Sequence, residues 1–313
     1  MMKRSDWIWT LVGLAAVVFS CFLLYKEIRT ISLDELSDSL HAIRPHNWLL
    51  ACMAMLGSYF ALAWYDRIAI AHLGKKIAWW FITLCSFTTY ALAHNIGASV
   101  FSGAVVRYRA YSTKGLIPAE IGMLIVFCSF TFILGVLLAG GVVLLCQPDL
   151  IDRVADVDPW VSQTIGLVLL TLVALYVLGS WRQFKPRQWG KLRIEYPRLR
   201  IVIRQLMAGP LELACAAAII YYALPSAGNP GYCVVLGVFL ASFSLALLSH
   251  APGGLGVLEV TFLAAMPELP KVDVLAALIV FRVFYLLLPF ALSLLVVLGF
   301  EWSQWNQRRL RSR

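Results

Sequence analysis

The chain has 313 residues, of which 61% are apolar and 14% charged, with a net charge of +9. Soluble domains average about 45–50% apolar and about 25% charged, so this composition excludes an ordinary soluble fold. Apolar runs of eighteen residues or more can each cross a hydrocarbon core about 30 Å thick. The excess positive charge does not point to nucleic acid, because no basic groove is interleaved with stacking aromatics. Lys and Arg instead fall in short segments between apolar runs, and Trp residues cluster at run ends, as in the interfacial belts of membrane proteins. The seven cysteines stand singly, without the C-x-x-C spacing of a zinc site or a disulfide framework.

In chain order, the spacing predicts spans over Trp7–Tyr25, Trp48–Tyr65, Ile77–His94, Ala119–Cys146, Val161–Trp181, Leu206–Leu224, Tyr232–His250 and Val274–Phe300. The first could be read as a signal peptide ending at Val18-Phe19-Ser20-Cys21. Phe19 fits a lipoprotein cleavage box poorly, and an uncleaved first helix is expected. Two shorter apolar pieces, Ile96–Val106 and Leu255–Met266, follow Gly-containing breaks and are too short for ordinary spans. Each suits a re-entrant or broken helix.

Charge counting tests whether the short pieces cross. With the N-terminus inside and both pieces crossing, 20 of the 26 Lys and Arg residues lie on the cytoplasmic side, including the cluster from Arg182 to Arg204 and the C-terminal tail. If neither crosses, the densest basic loop faces outward, against the positive-inside bias. The expected fold class is therefore all-α: a polytopic membrane protein with about eight transmembrane helices plus two short re-entrant or broken ones. Each half makes five passes, so the second half (161–313) runs in the opposite sense to the first (1–146), with 182–204 as a basic cytoplasmic linker. Inverted repeats with interrupted helices at matching positions are the pattern of a transporter-like site at the repeat interface.

The first break carries Asn95, Gly97, Ser99 and Gly103, followed by Arg107 and Arg109. Asn95 is expected to cap the short helix, whose N-terminus suits a phosphate or carboxylate. Arg107 and Arg109 either grip a lipid phosphate or only anchor at the interface, and Gly103 is expected to serve tight packing. The second break, Pro252-Gly253-Gly254-Leu255-Gly256, forces a bend, and Glu259 follows on the first turns of the short helix. Arg282 is its natural partner, either as a structural ion pair or as a gating or headgroup site. Asp66 and Arg67 read as solvated helix ends, and Pro210 places Glu212 near a helix N-terminus at the interface. His94 and His250, at matching positions, read as structural caps rather than metal ligands. No nucleophile–base–orienter group, H-E-x-x-H, P-loop or G-x-S-x-G motif is present, so no catalytic residue, metal or cofactor is expected.

These residues carry a family resemblance. Asn95-x-Gly97-x-Ser99, Gly103-x-x-Val106-Arg107-Tyr108-Arg109-x-Tyr111 and Gly115-Leu116 resemble the first signature of the lysylphosphatidylglycerol synthase transmembrane, flippase-like family. Pro252-Gly253-Gly254-x-Gly256-x-x-Glu259 with Arg282-x-x-x-Tyr285 resembles its second, and Tyr65-Asp66 resembles the stand-alone YbhN-type branch of Gram-negative inner-membrane proteins. In two-part members a cytoplasmic synthetase aminoacylates phosphatidylglycerol and the membrane part translocates the product. The resemblance implies a lipid translocator-like module without that transfer, in the bacterial inner membrane, with both termini cytoplasmic. Its expected partners are membrane phospholipids, anionic ones among them, and a lipid-synthesis enzyme is a further expected partner. The alternatives are a non-transporting membrane subunit that organises a lipid-synthesis or envelope complex, and an intramembrane enzyme acting on a lipid headgroup.

Overall fold

The computed structural model describes residues 33–96, 99–183, 187–189, 192–194, 196–249 and 254–311. The expected first span, Gly97, His250, Pro252 and Gly253 lie outside these residues, as does the side chain of Ser99. The fold is all-α and polytopic. In chain order it comprises α1 (Leu33–Ala42), α2 (Pro45–His72), α3 (Trp79–Ile96), α4 (Ser99–Ser112), α5 (Pro118–Cys146) and α6 (Pro159–Trp181). A short hairpin of β1 (Arg187–Trp189) and β2 (Leu192–Ile194) leads to α7 (Leu199–Ala223), α8 (Tyr232–Ser249), α9 (Val257–Ala265) and α10 (Lys271–Phe281). A π turn (Arg282–Leu287) then joins α10 to α11 (Leu288–Arg311).

Among the described residues five helical stretches are long and apolar enough to cross a membrane: α2, α5, α6, α7 and the continuous Lys271–Phe300 segment, with the shorter apolar α8 in addition. Proline at the first helical turn starts α2, α5 and α6, where its missing N–H has no intrahelical acceptor to lose. The helices are apolar around most of their circumference. Large side chains such as Leu167, Val168, Leu172 and Leu175 on α6 are exposed where the hydrocarbon phase would lie. The centre is built on α2 against α7, with α5 packed across α7 and α6. At the α5–α7 crossing Gly135 and Gly209 meet so closely that a Cβ on Gly135 would lie 2.6 Å from the Gly209 carbonyl carbon. Such contact lets backbones approach without side chains between them. Gln205 joins the same three helices, donating to Thr131 at 2.9 Å and accepting from Tyr176 at 2.9 Å.

Several expected boundaries move. Helix α2 does not stop at Tyr65 but continues through Asp66 to His72, because Ile68, Ala69 and Ile70 extend the buried face by another turn and a half. The short piece expected to end at Val106 runs on to Ser112, which makes α4 a 14-residue helix, about 21 Å at 1.5 Å per residue. Pro210 lies inside α7 rather than at its start. The polar connector after the first expected span contains α1, which has Asp34 and Glu35 in its first turn and packs on α10.

Candidate functional site

Both short helices are tied to the bundle by an ion pair, buried at α4 and part-buried at α9. On α4, Arg107 reaches Asp66 of α2 with Nη2 2.6 Å from Oδ1 and Nε 3.3 Å from Oδ2. The Tyr111 hydroxyl donates to Oδ2 at 2.9 Å, and Cys128 Sγ on α5 lies 3.3 Å from Oδ1. The guanidinium also sits 4.9 Å above the ring of Tyr90 on α3. Asp66 is wholly buried and Arg107 is 5% exposed. One carboxylate thereby joins α2, α4 and α5. Asp66 is thus no solvated helix end, whereas its neighbour Arg67 is exposed and covers the ring of Trp79 at 4.6 Å. Arg107 also leaves the set of loop cations used in counting charge, although the basic bias stands without it.

On α9 the expected pair is present. Arg282, at the head of the π turn, donates to Glu259 Oε1 from Nε at 2.8 Å and from Nη2 at 2.5 Å. The other carboxylate oxygen, Oε2, accepts the Gly256 backbone N–H at 2.8 Å and so closes the first turn of α9. Gly254 and Gly256 have φ of +67° and +80°, a backbone region that disfavours any side chain. The glycines therefore aim the helix start at its own acid, and the acid at Arg282.

Three side chains take roles other than those expected. Asn95 stands four residues before α4 begins. It lies in the last turn of α3 and donates to Ala91 O at 2.8 Å and to Leu286 O of the π turn at 3.1 Å. Glu212 is not at an interface: it is 1% exposed inside α7, with Tyr285 Oη donating to it at 2.7 Å. His94 stacks on Tyr285, ring centroids 5.2 Å apart, instead of capping a helix. Gly103 keeps its expected packing role, since a Cβ there would lie 3.1 Å from Thr89 on α3. Among the described residues no three His, Cys, Asp or Glu side chains gather as a metal would require.

Arg109, one turn-half away from Arg107, faces outward instead. With Lys114 it lines a groove of about 610 Å³ between α3, α4 and α11. Its walls are mostly apolar, with Leu84, Leu92, Val105 and Val297 among them. Lys114 Nζ lies 4.6 Å over the ring of Phe81, which also lines the groove. A mostly apolar groove with two cations in its lining has the polarity of an amphiphile's binding site.

The convergence of Asp66, Arg107 and Tyr111 could not be read from spacing, because 41 residues separate the first two. Their one signal was that all three fell within the motifs that carried the family resemblance. The comparisons agree with that resemblance. The lysylphosphatidylglycerol synthase TM region family matches residues 10–293. The chain is 26% identical over 299 residues to the uncharacterized protein slr0712 of Synechocystis sp., covering 95% of this chain and 93% of that one. It is 29% identical over 278 residues to the inner membrane protein YbhN of Escherichia coli, covering 86% of each. To the phosphatidylglycerol lysyltransferase of Staphylococcus haemolyticus it is 24% identical over 90% of its own length, which is 33% of that enzyme. The match across nearly the whole chain makes this protein a member of the lysylphosphatidylglycerol synthase TM region family.

Proposed function

We propose that this protein binds an anionic phospholipid and moves it between leaflets, without an NTPase or any lipid chemistry of its own. The observation that carries the reading is the groove between α3, α4 and α11, lined by mostly apolar side chains together with Arg109 and Lys114. An acyl chain would lie along the walls and the phosphate would meet the two cations. Membership of a family whose relatives include phosphatidylglycerol lysyltransferases supports a lipid with that headgroup chemistry. The reading places the chain in a bacterial inner membrane with both termini cytoplasmic, which the YbhN relative and the basic 182–204 linker support.

The contact pattern supports two repeated halves, 1–146 and 161–313, whose inversion rests on the odd number of passes expected of each. The packing sequence α2–α3, α3–α4, α4–α5 recurs as α7–α8, α8–α9, α9–α10, and α2 meets α7 between them. In this reading the short helices α4 and α9 are the moving parts, and the pairs Asp66–Arg107 and Glu259–Arg282 are the latches that hold them. The other reading, a lipid-binding subunit that organises a lipid-synthesis complex and transports nothing, is favoured by the completeness of those same latches.

Native mass spectrometry of the purified protein with phosphatidylglycerol and with phosphatidylethanolamine tests lipid binding. The zwitterionic lipid is expected to bind more weakly, and Arg109→Ala with Lys114→Ala is expected to remove the preference. Equal retention of both lipids by the wild type would refute an anionic site.

A further inference from the structure

The latches leave Glu212 without a task. Its Oε1 accepts Tyr285 Oη at 2.7 Å and Ser58 Oγ at 3.5 Å, while Oε2 is buried without a hydrogen-bond partner. Asp66 and Glu259 each hold an arginine, but no lysine, arginine or histidine pairs with Glu212 among the described residues. The titratable groups facing it are Tyr59 and Tyr65 from α2, Tyr285 from the π turn and Cys215 on its own helix. All four are uncharged at neutral pH by their ordinary values. His94 from α3 stands one ring further on, stacked on Tyr285. Helices α5, α6, α8 and α10, which also pack on α7, supply no charged partner among the described residues. A bare carboxylate here would be a buried, uncompensated charge. A neutral carboxyl group, with its proton on the partnerless Oε2, leaves Oε1 to accept from Tyr285 and Ser58.

Tyr285 links this group to a second feature. The π turn carries Arg282, bound to Glu259 of α9, and Leu286, whose carbonyl accepts Asn95 of α3. The Tyr285 carbonyl accepts Tyr59 of α2 at 3.0 Å. Four contacts from four helices thus converge on six residues of non-α backbone, and such π segments are frequent at functional sites. We propose that Glu212 is a proton-binding site whose occupancy, passed through Tyr285 to the π turn, sets the Arg282–Glu259 latch and couples lipid movement to protons. The only bond made or broken is the O–H of the Glu212 carboxyl, and its proton passes to and from water. The coupling to lipid rests on the translocation reading above, whereas the proton site itself does not.

Infrared difference spectroscopy of the full chain in phosphatidylethanolamine–phosphatidylglycerol vesicles tests the site directly. At neutral pH the wild type should show a protonated-carboxyl C=O band that shifts in deuterated water. The band should be lost in Glu212→Gln, which keeps the shape of the neutral acid, and kept in Glu259→Gln. A band unchanged by Glu212→Gln, or no such band in the wild type, overturns the proposal. A second arm imposes a pH gradient on the same vesicles and follows headgroup-labelled phosphatidylglycerol. One coupled proton shifts the wild-type leaflet distribution by up to about tenfold per pH unit, and Glu212→Gln should abolish that response. A gradient response that survives in Glu212→Gln overturns the coupling. If no vesicle moves lipid, the translocation reading fails, and the infrared band still decides the proton site.

Discussion

Replacing Asp66 by Asn should be among the most damaging single changes in the chain. The carboxylate is fully buried, holds Arg107 through two nitrogens and accepts the Tyr111 hydroxyl. Asparagine keeps the shape but leaves the guanidinium, itself 5% exposed, with no counter-charge. Removing one partner of a buried pair costs about 3–5 kcal/mol, whereas replacing both by apolar groups of similar volume is often neutral or better. The geometry therefore predicts a strongly non-additive cycle. Asp66→Leu and Arg107→Met should each lose roughly 3–5 kcal/mol, as Asp66→Asn should. Asp66→Leu with Arg107→Met should recover most of that loss, less the unsatisfied Tyr111 hydroxyl at about 1–3 kcal/mol. The assay is reversible unfolding of the four proteins in mixed micelles, read as a double-mutant cycle. Single losses under about 1 kcal/mol, or additive losses in the double variant, would refute the buried-pair argument. A double variant that is stable yet inactive in lipid movement would mark the pair as a latch rather than only a brace.

Glu259→Gln should lose a comparable amount, about 3–5 kcal/mol, because Arg282 is left bound to a neutral amide. Hydrogen exchange should show opening confined first to α9, and protection equal to wild type there would contradict the role given to Glu259. Gly209→Ala should destabilise by about 1–3 kcal/mol or more through overpacking, since its Cβ would lie 2.8 Å from Thr131 O and from Gly135 Cα. A neutral Gly209→Ala in the same unfolding assay would show that α5 and α7 do not approach as described. Arg109→Ala with Lys114→Ala should weaken phosphatidylglycerol binding roughly 30-fold, from about 1 kcal/mol per cation near a membrane surface. High salt should shrink the difference, and a salt-independent loss would point to a structural effect instead. Single cysteines introduced beside Arg200 and beside Asp156 should be labelled from opposite sides of the membrane, and labelling from one side would overturn the topology.

Much of the architecture was legible because hydrocarbon-length apolar runs have few alternative uses. The limits of α5, α6 and α8 fall within two residues of the expected ones. The Glu259–Arg282 pair was also readable, since two charges within an apolar region have few partners besides each other. Asp66 was misread because a charged Asp-Arg pair after an aromatic looks like a helix end. Only the packing shows that Asp66 and Arg67 face opposite ways, one toward Arg107 and the other over Trp79. Pro210 misled similarly: its ring suggested a helix start, but the neighbouring Gly209 lets α5 close against a helix that continues through the proline. The π turn left no mark in the apolar pattern of the last span, since inserting one extra residue per turn hardly changes a helix that is apolar on most sides. Arg109 and Arg107 differ by two positions in sequence and by nearly opposite faces of α4, so the cation lining the apolar groove and the buried ion pair to Asp66 occupied one short motif.

Lipid movement itself is tested most directly by leaflet exchange in vesicles. Headgroup-labelled phosphatidylglycerol would be followed in proteoliposomes holding the wild type, the Arg109→Ala, Lys114→Ala variant, or no protein. Exchange that is fast with the wild type, slowed by the variant and slow in empty vesicles is the predicted result. Equal exchange in all three would contradict translocation by this protein.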